Sequence, residues 1–263
     1  MAENYPGEMT SKRTAAPRGA LADLATSNVV RRQRRAWSRR VASWDRHGSA
    51  GLSRVTAAVL EAARAGPGTR AVDLGSGNGQ ISLPLAQRGA TVLAVDVSPA
   101  MVRSLREQAR QAGATTLHAL AVPIEELVLP EGSVDLVVSS YALHHLRDAD
   151  KARLVHSAAQ WLRPGGRIVL ADMMLGRGGS RRDRQIIMTK LAALARKGPG
   201  GWWRIAKNGL RYLLRIQERP VSADAWIAML TAAGFIRISS AVIISEACIV
   251  EAERPASPAS GRD

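Results

Sequence analysis

Residues 71–80 read AVDLGSGNGQ. Two apolar residues lead into Asp73, and Gly75, Gly77 and Gly79 follow at alternate positions. Glycines so spaced allow a tight turn that side chains would block. The next stretch has helical character and would point its first amides into that turn. The pattern is a strand, a turn and a helix. Its G-x-G-x-G spacing is not the G-x-G-x-x-G of a dinucleotide site, and no G-K-[ST] ending marks a phosphate-binding loop.

Reading outward, Arg70–Leu74 is a buried strand and 80–88 the helix after it. Thr91–Val95 is a second strand with Asp96 at its end, 21 residues beyond Gly75. Ser98 opens a helix to about residue 112. Further strands are expected at Thr116–Ala121, Val134–Ser139 and Arg167–Met173, with a helix over roughly 149–162. Strands separated by helical stretches imply an α/β fold with a largely parallel sheet covered on both faces. Residues 222–232 form another helix. Phe235–Ser245 and Ala247–Ala252 read as two last strands joined by a very short turn, hence antiparallel. In an open α/β sheet, the glycine turn and Asp96 both lie at the carboxyl edge, where ligands bind. A carboxylate there can accept both hydroxyls of a ribose.

These stretches together resemble the class I S-adenosylmethionine-dependent methyltransferases, over roughly residues 40 to 255. VDLGSGNG is similar to the first motif of that family and VLAVDVSPAMV to its second-strand motif. GSVDLVVSSYALHHL is similar to the fourth-strand region, and LRPGGRIVLADM to the turn and fifth strand of its small-molecule branch. The resemblance implies a Rossmann-like seven-stranded sheet with an antiparallel final hairpin. It also implies S-adenosylmethionine as cofactor. By position, Asp73 would face the ammonium of the methionine end, and the turn Gly75, Ser76, Gly77, Asn78 and Gly79 would pass under the cofactor. Asp96 would bind the ribose hydroxyls. Val97, Met101 and Ile124 would line the adenine side, and Ser139 and Ser140 the methionine side. Trp44 would belong to an N-terminal lid. One departure is visible: relatives often carry an acid and then Ala after the third strand, and Pro123-Ile124 stands here. Proline offers neither an amide hydrogen nor a polar side chain, so the adenine amine would need another acceptor.

The fourth strand runs into Ser140-Tyr141-Ala142-Leu143. Methyltransferases of adenine or glutamine amino groups resemble one another in an Asn/Asp-Pro-Pro-Tyr/Phe motif at this place, and it is missing. His144-His145 follows instead. A neutral imidazole takes a proton from a hydroxyl near pH 7, so the candidate catalytic residues are His144, His145, Asp172 and Tyr141. Neighbouring residues cannot share one helical face, so one histidine should point inward, and the sequence leaves open which. Either histidine is alternatively structural. Asp172, near the end of the fifth strand, would orient a histidine or hold a substrate hydroxyl. His144 or His145 with Asp172 also suggests Mg²⁺, though that set is incomplete for a hard cation. No metal ligand set is assigned. Asp135 begins the fourth strand, far from the ligand edge, and reads as structural.

These features point to O-methylation of a small molecule: a sugar, polyketide, phenol or lipid-like metabolite. The alternatives are C-methylation of a quinone or lipid precursor, a magnesium-dependent sugar O-methyltransferase, and a non-catalytic cofactor-binding protein.

The chain has 263 residues and 46% hydrophobic residues, enough for one core and an accessory segment. No charge-free apolar run reaches the ~18 residues a membrane helix needs. The start, MAENYPGEMTSKR, lacks a signal peptide's apolar middle, which favours a cytoplasmic location. A lone Cys248 excludes an intrachain disulfide and a cysteine metal cluster. Net charge is +15, with 37 Lys and Arg against 22 Asp and Glu. Residues 177–219 hold twelve basic and two acidic residues, a net +10.

The expected organisation is a flexible N-terminus with a basic lid helix over 1–50 and a cofactor-binding core over 51–176. A basic helical insertion at 177–219, between strands five and six, would cover the acceptor. Residues 220–255 complete the core, and 256–263 are a disordered tail. In 202–216, Trp203, Ala206, Leu210, Leu213 and Leu214 form one stripe and Lys207, Arg211 and Arg215 another. Such a segment suits a bulky acceptor first. Peripheral contact with an anionic membrane, at the inner surface, comes second. Nucleic acid is disfavoured, because no dedicated binding module is present.

Overall fold

The computed structural model describes residues 50–174 and 219–256, and six single helical positions between 181 and 192. The expected N-terminal helix with Trp44, the rest of the 175–218 stretch and the tail beyond 256 lie outside the described residues.

The described elements are α1 (Ala50–Ala63), β1 (Arg70–Leu74), α2 (Ser82–Gln87), β2 (Thr91–Asp96), α3 (Pro99–Gln111), β3 (Leu117–Ala121), β4 (Val134–Ser140), α4 (Asp148–Trp161), β5 (Leu162–Met173), α5 (Ala223–Ala232), β6 (Ile236–Val242) and β7 (Ala247–Glu253). Single 3-10 turns at Ile124–Glu126 and Leu143–His145 follow β3 and β4. Seven strands among the described residues form one sheet in the order β3-β2-β1-β4-β5-β7-β6. β1 to β5 run parallel, and β7 is antiparallel to both β5 and β6. This is the Rossmann-like α/β fold that the sequence implied.

Strand alternation sorts the core into two layers. Val72, Leu74, Val95 and Val137 face α4 and α5, whose Val155, Trp161, Trp226 and Leu230 are buried. Ala71, Val92, Leu136 and Val138 face α1, α2 and α3, which bring Val59, Leu85 and Leu105. Fully burying one such branched side chain contributes about 1.5–3 kcal/mol. α3 starts where its sequence dictates. The Ser98 hydroxyl accepts the Met101 amide, and Pro99 stands where no amide partner is needed.

Most boundaries agree to within one or two residues, and two differ by more. β5 begins at Leu162, before the Gly165-Gly166 turn rather than after it. Val134 pairs with Leu162 and Leu136 with Arg167, so the two glycines form an irregularity inside a paired strand. The Gly165 amide donates to the Arg254 carbonyl at 3.0 Å and the Arg254 amide to that of Gly166 at 2.8 Å, which keeps the segment in the sheet. β6 ends at Val242, and a four-residue connection leads to β7. The apolar run through Ile244 hides that turn, which the Ile243 and Ala247 amides close.

Candidate functional site

The strand order reverses direction at β1, between β2 and β4. There the carboxyl ends of the strands leave a crevice. A cleft of about 900 Å³, open solvent included, lies at this point. Its walls come from the ends of β1, β2 and β4, the turns after them, the 3-10 turn after β3, and Leu52 of α1.

The glycine turn is pinned to β2. The Gly75 and Ser76 amides both donate to the Val95 carbonyl, at 2.8 and 2.9 Å. Gly75 has φ +79°, and a Cβ built on it would stand 2.2 Å from the Ala142 Cβ. Only glycine lets β1 and the segment after β4 approach this closely. Gly75→Ala should therefore cost about 1–3 kcal/mol of stability, read as a lowered melting temperature. An unchanged melting temperature would show that the two segments yield freely. Gly77 and Asn78 also line the cleft. Gly79 does not: its missing Cβ would meet the Leu105 side chain at 2.3 Å, so this glycine lets the turn pack on α3.

Asp96, 9% exposed, lines the cleft with Val97 and Met101. Its carboxylate accepts the Gly77 amide at 3.0 Å and the Ser98 amide at 2.7 Å. Burial raises its pKa above the usual carboxylate range, and these two amides oppose that rise. Asp73 is 1% exposed, and the Ser82 hydroxyl donates to it at 2.5 Å. Burial pushes its pKa up to about 7, against the Ser82 hydrogen bond and with help from the Asp96 charge. The Ser76 hydroxyl is buried with no hydrogen-bond partner among the described residues. A buried hydroxyl without a partner is costly in a finished protein and natural where a polar ligand completes the site. Two buried carboxylates, an orphaned hydroxyl and a glycine cradle suit a ligand with a cation at one end and a diol further along. S-adenosylmethionine has both.

The segment after β4 gives the two histidines different surroundings. Asp172, at the end of β5, accepts the His144 amide on Oδ2 at 2.8 Å and the Met173 amide on Oδ1 at 2.7 Å. His144 Nδ1 lies 2.5 Å from Asp172 Oδ1. Both side chains are buried, and neither lines the cleft. His145 does line it, and its ring centroid lies 4.0 Å from that of His144. Of the adjacent pair, His145 faces the cleft and His144 faces the carboxylate.

Ser140 and Tyr141 also line the cleft. Tyr141 has φ +51°, an unusual conformation for a side chain of its size, and its amide donates to the Ala171 carbonyl at 2.9 Å. Burial, then the Glu246 and Asp172 charges, push its pKa to about 12. Tyr141 is thus a neutral hydroxyl near pH 7, suited to hydrogen bonding rather than to proton abstraction. Ser139, by contrast, donates its hydroxyl to the Leu74 carbonyl at 2.7 Å inside the sheet and does not reach the cleft. Strand alternation turns Ser140 to the cleft and its neighbour away.

Ile124 lines the cleft beside Glu125, a residue the sequence reading passed over. It brings a carboxylate two positions beyond Pro123, where no polar group exists. Gln80, Ile81, Ala142 and Leu146 were also missed. All four adjoin segments the motifs had already marked. Asp135 sits at the far end of β4, where it accepts the Arg70 amide at 2.8 Å and pairs with Arg163. No group of three or more His, Cys, Asp or Glu side chains suited to a metal occurs among the described residues. His118 and His156 lie outside the cleft.

Residues 71–166 match the methyltransferase domain family. This part of the chain is a class I methyltransferase domain. An uncharacterised methyltransferase from Synechocystis is 37% identical over 114 residues, 43% of this chain and 51% of that protein. A ubiquinone/menaquinone biosynthesis C-methyltransferase from Vibrio vulnificus is 29% identical over 119 residues, 43% of this chain and 45% of that one. The chain thus spans about half the length of these curated relatives. The chain also shares its fold with a geranyl diphosphate methyltransferase solved with GPP and sinefungin. That likeness has a TM-score of 0.60 and 15% identity, over 86% of this chain and 99% of that one. No helix among the described residues is long and apolar enough to cross a membrane.

Proposed function

We propose that the protein is an S-adenosylmethionine-dependent methyltransferase that methylates a hydroxyl of a small molecule, with His145 as the proton acceptor. The observation that carries the oxygen reading is the division of labour after β4. One imidazole faces the cleft beside Ser140 and Tyr141, while its neighbour is held by a buried carboxylate.

When bound, S-adenosylmethionine supplies an electrophilic methyl group on a good leaving group. The chain then has two tasks: to align the acceptor and to receive its proton. Asp73 and Asp96 would hold the two ends of the cofactor, through its ammonium and its ribose hydroxyls. The Ser76 hydroxyl would complete its hydrogen bonding against the polar methionine end. Tyr141, neutral near pH 7, hydrogen-bonds the acceptor. His145 orients the hydroxyl and takes its proton as the new bond forms. An alcohol holds its proton too tightly to lose it beforehand, so the transfer is concerted.

Asp96→Ala should weaken binding of S-adenosylhomocysteine by about 1–3 kcal/mol, as expected for lost hydrogen bonds to a charged group. Titration calorimetry reads this directly, and unchanged affinity would remove Asp96 from the ribose site.

A second reading, C-methylation, is favoured by the name of one relative, the Vibrio C-methyltransferase. A base at His145 would serve it too, by taking a proton from carbon. An acceptor screen separates the readings. Mass spectrometry finds the product heavier by one CH2, a methyl in place of a hydrogen, and fragmentation places that methyl on oxygen or carbon. A parallel arm with EDTA tests magnesium: activity lost with EDTA and restored by magnesium would replace His145 as the means of hydroxyl activation.

A further inference from the structure

Lys151 projects from the first turn of α4, and its side chain is fully buried. Its ammonium reaches the Leu146 carbonyl at 2.8 Å, the Arg219 carbonyl at 2.6 Å and Asp148 Oδ1 at 3.2 Å. Three acceptors match the three hydrogens of an ammonium. The arrangement is nevertheless costly. Taking a cation out of water is unfavourable, and its ion-pair partner Asp148 is half exposed. A packed apolar side chain would fill the same space without that cost. What the lysine adds is a link between two chain segments 68 residues apart.

The link closes around His145. The Arg219 amide donates to the His144 carbonyl at 2.6 Å, while its carbonyl accepts from Lys151. Lys151 in turn holds the carbonyl of Leu146. Both chain neighbours of His145 are therefore fixed, His144 through Arg219 and Leu146 through Lys151. On the opposite side Asp172 accepts the His144 amide. The His145 ring lies between these fixed points and lines the cleft.

We propose that Lys151, acting through Arg219, is a positioning residue that locks the main chain on either side of His145 and so fixes the imidazole at the cleft. The functional meaning of the lock rests on His145 being the proton acceptor, but the lock itself can be tested without any acceptor. The experiment uses the full chain and its Lys151→Met variant. Methionine keeps the length of the side chain and removes every donor. Amide hydrogen exchange at 142–147 and 219–222 should speed up by roughly tenfold or more, while the amides of β1, β2 and β4 keep their wild-type rates. The nitrogen-15 signals of the His145 ring should shift or split. Wild-type exchange in the loop, an equal increase throughout the chain, or unmoved ring signals would each overturn the proposal and leave Lys151 as a structural residue.

If Lys151→Met fails to fold, the wild-type protein decides. The Arg219 amide, held by His144, and the His145 amide, held by Ala142, should open with one free energy across a denaturant series. Separate opening energies would overturn the lock. S-adenosylhomocysteine binding to wild type, measured alongside, keeps the two ideas apart. Absence of binding would end the methyltransferase reading without touching the exchange result.

Discussion

Replacing His145 with alanine should lower methyl transfer to the acceptor found in the screen by about 10²–10⁴-fold, the usual contribution of a positioned general base. Affinity for S-adenosylhomocysteine should change little, because the charged anchors of that ligand, Asp73 and Asp96, stay in place. At saturating cofactor, where the Asp73 titration no longer limits the rate, the acid limb of the wild-type rate–pH profile should disappear in the variant, since only a neutral imidazole accepts a proton. His144→Ala should behave differently. His144 is 6% exposed and bonded to a buried carboxylate, so its loss should cost about 1–3 kcal/mol of stability. A fall in melting temperature for His144→Ala with a fall in turnover for His145→Ala would separate anchor from base. If both variants keep the wild-type rate and profile, neither histidine is the base.

That division could not be read in the sequence. Two adjacent histidines present the same local pattern, and the residue that chooses between them, Asp172, lies 28 positions further on. Only the parallel pairing of β4 with β5 brings its carboxylate against His144. Features governed by near neighbours were legible. The glycine turn, the end of β2 at Asp96 and the Ser98 cap depend on residues a few positions apart, and they stand where the pattern placed them. Features governed by pairing were not. The Leu162-Arg163-Pro164-Gly165-Gly166 stretch reads as a breaker, yet β4 and the chain after β7 hold it in the sheet. Gly79 and Ser139 share motifs with true lining residues, but their surroundings turn them to packing. Glu125 escaped notice because the motif directed attention to Pro123, whereas the 3-10 turn after it brings the next acidic residue to the cleft.

Binding of S-adenosylhomocysteine should strengthen by about 100-fold between about pH 5 and pH 8 and release a proton at the lower end of that range. The cause is Asp73. Burial raises its pKa from 3.8 to about 7, so the ligand-free protein holds a proton there that the unfolded chain has lost. The sign follows from linkage. Where the native state binds more protons than the unfolded one, stability falls as pH rises. The ligand-free protein should therefore lose stability between about pH 4 and pH 7, on the order of 4 kcal/mol for a shift of this size. An ammonium at Asp73 reverses the preference by favouring the charged carboxylate. Below the raised pKa the ligand must displace the proton, and each pH unit then weakens binding by up to about tenfold. Ser82 assists, because its 2.5 Å hydrogen bond also favours the ionised form. Calorimetry in two buffers of different ionisation enthalpy should register proton release near about pH 6 and none near about pH 8. Asp73→Asn should bind weakly at every pH and show no release. Affinity that is flat across the range in wild type would mean that Asp73 is already ionised in the free protein, or that the cation is held elsewhere.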